Sequence, residues 1–266
     1  MSENPVLLTV EDGVATITLN RPESLNSLSD DMKTRLIEIT YQVENDPAVR
    51  CVVLRGNGRA FMAGGDVKAM HEANMKDRAA KVAAFESRVI RAHQIIYQLR
   101  RMPKPVVAVL HGPVAGFGLA LTLTADLAIA RSDTFFTMAY RHIGLSSDGG
   151  VTYFLPRVVG EKKALEIALL GERFDARAAL DMGIVNWVHD EDVFEAEVEK
   201  LVAKLATGPT RALGRVKQLI RDSQDLSWDE MSHREAEGIA YAAASDDHVE
   251  GVAAFVEKRK PNFSGR

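Results

Sequence analysis

Two glycine-bearing turns are the parts of this sequence best suited to chemistry. One is Gly64-Gly65-Asp66, in the run AFMAGGDVK, and the other is Gly116-Phe117-Gly118, in the run HGPVAGFGLAL. Each follows an apolar strand candidate and opens a helix candidate, where backbone N–H groups lie free to bind a negative oxygen. Two such donors from separate turns can make one oxyanion hole, which is what an enolate or a tetrahedral intermediate requires.

The same glycines also allow other interpretations. A lone Gly-x-Gly often serves only to let a helix pack tightly against a strand. As a dinucleotide or phosphate loop the fit is poor, because there is no full Gly-x-Gly-x-x-Gly at the right strand and no Gly-Lys-Ser/Thr. The histidines show no metal-ligand spacing, so we predict no metal site. The repetition of the turn favours oxyanion stabilisation.

Short apolar runs predict the strands that position both turns. Residues 51–54 lead into the first turn, residues 106–110 lead into the second, and residues 127–130 follow it. Such runs are typical of parallel strands buried on both faces, so we expect an α/β unit with its active loops at the strand C-termini. An Asp-Gly turn between residues 6–10 and 14–19 predicts an antiparallel hairpin at the start.

The remaining elements are predicted to be mainly helical. Ser29, followed by two aspartates, predicts a helix start, and residues 67–99 are predominantly helical. Beyond Gly150 we predict a possible edge strand at 184–188 and helices over 161–170, 175–182, 193–206, 210–220, 228–244 and 246–258. Consecutive helices after an α/β core indicate a separate helical layer, which could complete a neighbouring subunit's site.

Composition limits the class of partner. The 266 residues carry a net charge of -4, which gives no electrostatic case for nucleic acid. No stretch approaches the length of uninterrupted apolar residues that a membrane span needs. The N-terminal run has neither a basic start nor a long apolar block, so we expect no leader peptide. Cys51 is the only cysteine and lies in an apolar run, so we expect no internal disulfide and a cytoplasmic location.

Four motifs, in order and spacing, resemble the crotonase (enoyl-CoA hydratase/isomerase) superfamily, nearest to single-acid isomerases of the phenylacetate-degradation type. The motifs are RPESLNSLS, AFMAGGDVKAM, HGPVAGFGLALTLTADLAIA and IGLSSDGGVTYFLPRVVG. The match covers nearly the whole chain. It implies an α/β fold with a crotonase-like ββα spiral core over residues 1–200. A helical C-terminal trimerisation region over residues 201–266 would then give a homotrimer or hexamer.

The resemblance also implies the substrate and the groups that bind it. No cofactor is expected to be tightly bound, and coenzyme A enters as part of an acyl-CoA thioester substrate. The oxyanion donors would be the backbone N–H groups of Gly65 and Phe117, and the Phe117 ring would narrow the acyl pocket. The expected coenzyme A contacts are Ser24, Leu25, Ala63, Asp66 and Val67, with Lys258 reaching a phosphate from a neighbouring subunit. For Lys258 the alternative is a solvated helix face.

The carboxylates separate the reactions of the superfamily. Its hydratases use two glutamates, whose positions here correspond to Ala120 and the neighbourhood of Tyr140. The sequence therefore lacks both carboxylates that this mechanism of water addition needs. Asp148 stands where single-acid isomerases carry their Asp or Glu. One carboxylate suffices for a double-bond shift, because it removes a proton from one carbon and returns it two bonds away. The alternative role of Asp148 is a helix N-cap.

The function expected from this resemblance is an enoyl-CoA isomerase. Asp148 would move the proton while Gly65 and Phe117 hold the enolate, inside an apolar pocket to which Phe136, Met138 and Tyr140 also contribute. Hydration with Asp148 assisted by Tyr140 stays open as an alternative. A non-catalytic acyl-CoA-binding scaffold is a third, because both hydratase glutamates are missing.

Overall fold

A six-stranded sheet is the centre of the computed structural model, which describes residues 4–73 and 77–266. Its order is β1-β2-β3-β4-β6-β9, and β5-β7-β8 form a smaller sheet. The strands are β1 (Val6–Glu11), β2 (Val14–Leu19), β3 (Cys51–Gly56), β4 (Val106–Leu110), β5 (Pro113–Ala115), β6 (Leu127–Arg131), β7 (Phe135–Thr137), β8 (Phe174–Asp175) and β9 (Trp187–His189).

The large sheet confirms the predicted mixture of a hairpin and parallel strands. β1 and β2 pair antiparallel with Val6 opposite Leu19, whereas β2-β3, β3-β4, β4-β6 and β6-β9 pair parallel. All five residues of β4 are buried, because alternate side chains enter two different apolar clusters. Val107 and Val109 face the cluster covered by the helix that contains Phe194. Burial on both faces explains the uninterrupted apolar sequence of this strand.

Helices surround the sheet. They are α1 (Asp30–Asn45), α2 (Val67–Ala73), α3 (Arg78–Arg101), α4 (Phe117–Thr124), α5 (Val151–Val159), α6 (Glu161–Leu170), α7 (Ala176–Asp181), α8 (Glu191–Ala206), α9 (Thr210–Asp222), α10 (Trp228–Ala243) and α11 (Asp246–Val256). The Ser29 hydroxyl accepts a hydrogen bond from the Met32 N–H, which is the N-cap predicted for α1. The helix predicted over 67–99 corresponds to α2 and α3, and its residues 74–76 lie outside the described part of the chain.

The three-stranded sheet was not predicted. Its strands are only two or three residues long, too short to show a periodic pattern. The ring of Phe136 on β7 stacks on Phe174 of β8 at 5.4 Å, which joins these strands across the sheet. The predicted edge strand does lie at the edge of the large sheet, but it begins later, at Trp187.

The C-terminal helices are anchored to the sheet through α9. The buried ammonium of Lys217 donates to the carbonyls of Leu99 and Lys104 and pairs with Asp126 at 2.7 Å. Arg221 pairs with the other oxygen of Asp126 at 2.6 Å. The bond to Leu99 satisfies a carbonyl in the last turn of α3, which lacks an intrahelical donor. Within the described residues, no helix is both long and apolar enough to span a membrane.

Candidate active site

The two glycine turns lie against each other. A methyl group added at Gly116 would sit 3.4 Å from the Cα of Gly64, so the backbones are in direct contact there. Both glycines have a positive φ, +99° at Gly64 and +50° at Gly116, which side-chain-bearing residues rarely adopt. The Ala115 N–H donates to the Met62 carbonyl at 2.8 Å and joins the two loops. The turns that are 52 residues apart in sequence therefore form one surface.

Gly65 and Phe117 directly follow the two touching glycines. Phe117 is the first residue of α4, so its N–H has no acceptor within the helix. Across residues 4–73 and 77–266, neither backbone nor side chain supplies an acceptor for the N–H of either residue. Both residues line a cavity of about 490 Å³. Two N–H donors without an acceptor among the described residues thus border one cavity, as an oxyanion hole requires.

Asp148 lines the same cavity, and Tyr140 holds its carboxylate. The Tyr140 hydroxyl donates to Oδ1 of Asp148 at 2.6 Å. Burial, together with the neighbouring carboxylate, raises the pKa of the Tyr140 hydroxyl far above its usual range. Tyr140 therefore stays protonated and is the donor of this hydrogen bond. In the described part of the chain, no donor is found for the other carboxylate oxygen, Oδ2. That oxygen is available to a substrate.

Asp148 does not cap the helix that follows it. The N-cap of α5 is Gly150, and no side chain among the described residues caps this helix. The intervening Gly149 is held on two sides instead. Its N–H donates to Nε2 of His93 at 3.2 Å, and a methyl group added at Gly149 would lie 2.5 Å from the Cβ of Ala120. These contacts fix the backbone next to Asp148 beside the start of α4.

The cavity wall is largely apolar, although two expected residues do not contribute to it. Phe136 and Met138 were expected to line the pocket, but both are buried in the core and neither lines the cavity. The prediction was wrong because Phe136 stacks within the small sheet, which its pattern had not revealed. Phe117 and Tyr140 do line the cavity, along with Leu28, Met70, Phe85, Val89 and Leu145.

The loop at Ser24 and Leu25 adjoins the first glycine turn. The Ala63 N–H donates to the Leu25 carbonyl at 2.9 Å, while the Ser24 hydroxyl bonds within its own loop. Ala63 and Val67 line the cavity, whereas Ser24 and Leu25 are not part of its wall. Of these four predicted contacts, Ala63 and Val67 therefore border the cavity, while Leu25 is joined to it only through its bond to Ala63.

The other two predicted coenzyme A contacts lie elsewhere. One oxygen of Asp66 accepts from the Ala69 N–H at the start of α2, and the other pairs with Arg21 at 3.2 Å. These bonds make Asp66 a loop anchor, and it is not part of the cavity wall. Lys258 is exposed just after α11 and does not reach this chain's own cavity.

Several residues at or near the cavity were missed from the sequence, His93 and Lys33 among them. His93 lies on α3, 56 residues before its partner Gly149, and nothing in the sequence links the two. Lys33 lines the cavity from α1, with only 4% of its side chain exposed. A signal for Lys33 did exist, because it precedes the buried Leu36 by three residues and so falls on the apolar stripe of α1.

Comparison with known proteins identifies the family to which this site and fold belong. Residues 9–266 match the family model described as "Enoyl-CoA hydratase/isomerase", and the chain is a member of this enzyme family. A crystal structure described as an enoyl-CoA hydratase/isomerase from Mycobacterium abscessus has 36% sequence identity and a TM-score of 0.92. The alignment covers 98% of this chain and 100% of the other. The predicted crotonase-like α/β fold is confirmed.

Two curated relatives are isomerases by name. The 1,2-epoxyphenylacetyl-CoA isomerase of Escherichia coli K12 is 38% identical, with 98% of both chains covered. The trans-2-decenoyl-[acyl-carrier-protein] isomerase of Streptococcus mutans serotype c is 32% identical, with 100% of both chains covered. The predicted resemblance to isomerases of the phenylacetate type is thereby confirmed.

Proposed function

We propose that this chain is an enoyl-CoA isomerase that shifts a double bond along the acyl chain of a coenzyme A thioester. One observation carries the proposal. Asp148 has one carboxylate oxygen held by Tyr140 and lines the same cavity as Gly65 and Phe117. The described residues supply no partner for its other oxygen or for the N–H groups of Gly65 and Phe117. A base and an oxyanion site are the two parts that a proton shift next to a thioester needs.

The proposed reaction moves one proton and uses no other reactant. Oδ2 of Asp148 removes a proton from a carbon of the acyl chain, and the electron pair delocalises onto the thioester oxygen. The N–H groups of Gly65 and Phe117 bind this oxyanion, with added stabilisation from the positive end of α4. The protonated Asp148 then returns the proton to a carbon two bonds away. Atoms and charge balance, because the proton removed is the proton returned.

Tyr140 is a positioning residue in this scheme. Since its hydroxyl stays protonated, it holds Oδ1 of Asp148 both when the carboxylate is charged and when it carries the substrate proton. The carboxyl group therefore keeps its orientation between the two proton transfers. Holding a reacting group in position in this way avoids reorganisation during the reaction.

Hydration is a second candidate, because another carboxylate, Glu86 on α3, also lines the cavity. The position of one hydratase glutamate is Ala120, however, which has no carboxylate and whose Cβ lies close to Gly149. Incubation of a 2-enoyl thioester in ¹⁸O-labelled water separates the two candidates. Isomerisation leaves the product unlabelled and converts 3-enoyl to 2-enoyl thioesters, whereas labelled 3-hydroxyacyl product as the main outcome would contradict the proposal.

We also propose that copies of this chain associate through residues 201–266 into a homotrimer or hexamer. The support is a set of exposed apolar side chains on α10 and α11, including Ile239, Val249 and Phe255, the last of these 86% exposed. In such an assembly Lys258 would contact a coenzyme A phosphate of a neighbouring subunit. Light scattering measures the mass, and Lys258→Met is expected to weaken free coenzyme A binding in the assembly. A monomer that binds coenzyme A unchanged after this substitution would contradict both parts.

A further inference from the structure

A buried lysine side chain lies in the wall of the candidate acyl cavity. The Lys33 side chain is 4% exposed, and its Nζ donates to Oδ1 of Asp30 at 2.8 Å. Among the described residues no other acceptor is found for this Nζ. An ammonium has three N–H donors, and burial of a charged group with unused donors is costly. Lys33, which helps to line the cavity, therefore carries N–H donors that no described residue uses.

A second cation lies beside the first. Arg88 on α3 also lines the cavity, and its Nε is 3.5 Å from the same Asp30 oxygen. Asp30 is not part of the cavity wall, and 63% of its side chain is exposed. Two cations thus share one carboxylate that water also screens, so this part of the wall keeps a net positive charge.

The other charged groups of the cavity do not neutralise this pair. Asp148 has one oxygen engaged by Tyr140, and the other oxygen is the proposed base. Glu86 is exposed on α3, and no ion pair joins it to either cation in the described residues. Leu28 and Ala92, which line the cavity with Lys33, are buried and apolar. The Lys33 side chain is therefore largely shielded from solvent, unlike an exposed surface lysine.

We propose that Lys33, assisted by Arg88, binds a carboxylate at the far end of the acyl chain, so that the enzyme accepts acyl-CoA thioesters ending in a carboxylate. The inference rests on the proposed function for the thioester site and adds the class of acyl group. A carboxylate accepts several hydrogen bonds and matches the unused donors of Lys33. A methyl-terminated chain leaves these donors unpaired.

The test measures binding of saturated thioesters, which cannot be isomerised. Calorimetry gives dissociation constants for six-, eight- and ten-carbon acyl thioesters in matched pairs, one ending in a methyl group and the other in a carboxylate. Free coenzyme A is the third ligand. Each is measured on the wild type, Lys33→Met and Arg88→Met. Arg91→Met is the matched control, because Arg91 bonds Thr34 at the same α1-α3 contact without lining the cavity.

The expected result is selective. In at least one pair, Lys33→Met weakens the carboxylate-ended thioester on the order of 10- to 100-fold and changes the methyl-ended one less than 3-fold. Arg88→Met gives a smaller loss of the same kind, and Arg91→Met gives none. Arg88 is partly exposed, so this variant tests the proposal even if Lys33→Met does not fold.

Two results would overturn the proposal. In the first, the wild type binds every carboxylate-ended thioester more than 100-fold more weakly than its methyl-ended partner. The other is an equal loss for all ligands, free coenzyme A included, in Lys33→Met, which would assign the lysine to a coenzyme A phosphate. Either result leaves isomerase activity on 3-enoyl thioesters to be judged separately. Failure of every thioester to bind would contradict the proposed function as well.

Discussion

The hydroxyl of Tyr140 donates a 2.6 Å hydrogen bond to Oδ1 of Asp148 at the wall of the cavity. Because burial and the adjacent carboxylate hold the pKa of this hydroxyl far above its usual range, the direction of the bond is fixed. The carboxylate is therefore anchored through one oxygen and presents the other. The two oxygens of Asp148 thus have different roles, and the first two predictions test one role each.

Replacement of Asp148 by Asn removes the proposed base while keeping size and polarity. We expect turnover of 3-enoyl thioesters to fall by about a hundred- to ten-thousand-fold, the usual range for loss of a general base. Absorbance of the conjugated 2-enoyl product measures the rate, and binding of a saturated thioester should change little. Glu86→Gln is the matched control, because it removes the other carboxylate of the cavity. Full turnover by Asp148→Asn would assign the proton transfer to another group.

Replacement of Tyr140 by Phe removes the hydroxyl and keeps the ring. We expect kcat to fall on the order of 10- to 100-fold, the usual value of a hydrogen bond to a charged group, with little change in KM. Tyr97→Phe on α3 is the matched control, since Tyr97 is exposed and does not line the cavity. A rise in KM at unchanged kcat would instead mean that Tyr140 binds substrate.

Replacement of Gly116 by Ala tests the conformation of the second turn. The added methyl group would lie in ordinary contact, 3.4 Å from the Cα of Gly64, but alanine rarely adopts the φ of +50° found here. The backbone at Gly116 must therefore change, and the N–H of the next residue, Phe117, loses its alignment. We expect kcat to fall on the order of 100-fold, as for loss of one oxyanion donor.

The control for this variant is Gly183→Ala. Gly183 also has a positive φ, +76°, but its added methyl group would meet only Val158, at 3.8 Å. It should lose about 1 kcal/mol of stability from backbone strain and keep its activity. Chemical denaturation measures the stability of both variants, and equal activity losses would contradict the role given to the conformation of the second turn.

The thiol of Cys51 should be inert in the native protein. Burial raises its pKa to about 12, with a smaller contribution from Asp126, so only about one thiol in ten thousand is ionised at pH 8. We expect iodoacetamide to modify Cys51 only when the protein unfolds. Mass spectrometry follows the reaction with and without denaturant, and rapid labelling of the folded protein would show that the thiol is reachable.

Structural features that are determined by residues close together in the sequence were predictable. The turns at Gly64 and Gly116 follow uninterrupted apolar strands and open helices, so the sequence alone indicated where unpaired N–H groups would occur. The hairpin at the N-terminus and the N-cap at Ser29 likewise depend on neighbouring residues. For such features the physical cause lies within a few residues of its effect.

Features that depend on distant contacts were not predictable in the same way. The bond between His93 and Gly149 spans 56 residues, and the stacking of Phe136 on Phe174 depends on strands too short to show a pattern. Lys33 stands between these cases. Its place on the apolar stripe of α1 marked it as buried, but only the packing of α1 against α3 reveals that it borders the cavity.

The anchoring of α9 to the end of α3 has a mechanical consequence. Lys217 donates a hydrogen bond to the carbonyl of Leu99 near the end of α3, and His93 and Arg88 lie near the middle of the same helix. A displacement of α9 that moved α3 would therefore change the wall of the cavity. If docking on the C-terminal helices causes such a displacement, the docked partner and the ligand of the cavity change each other's affinity by the same factor.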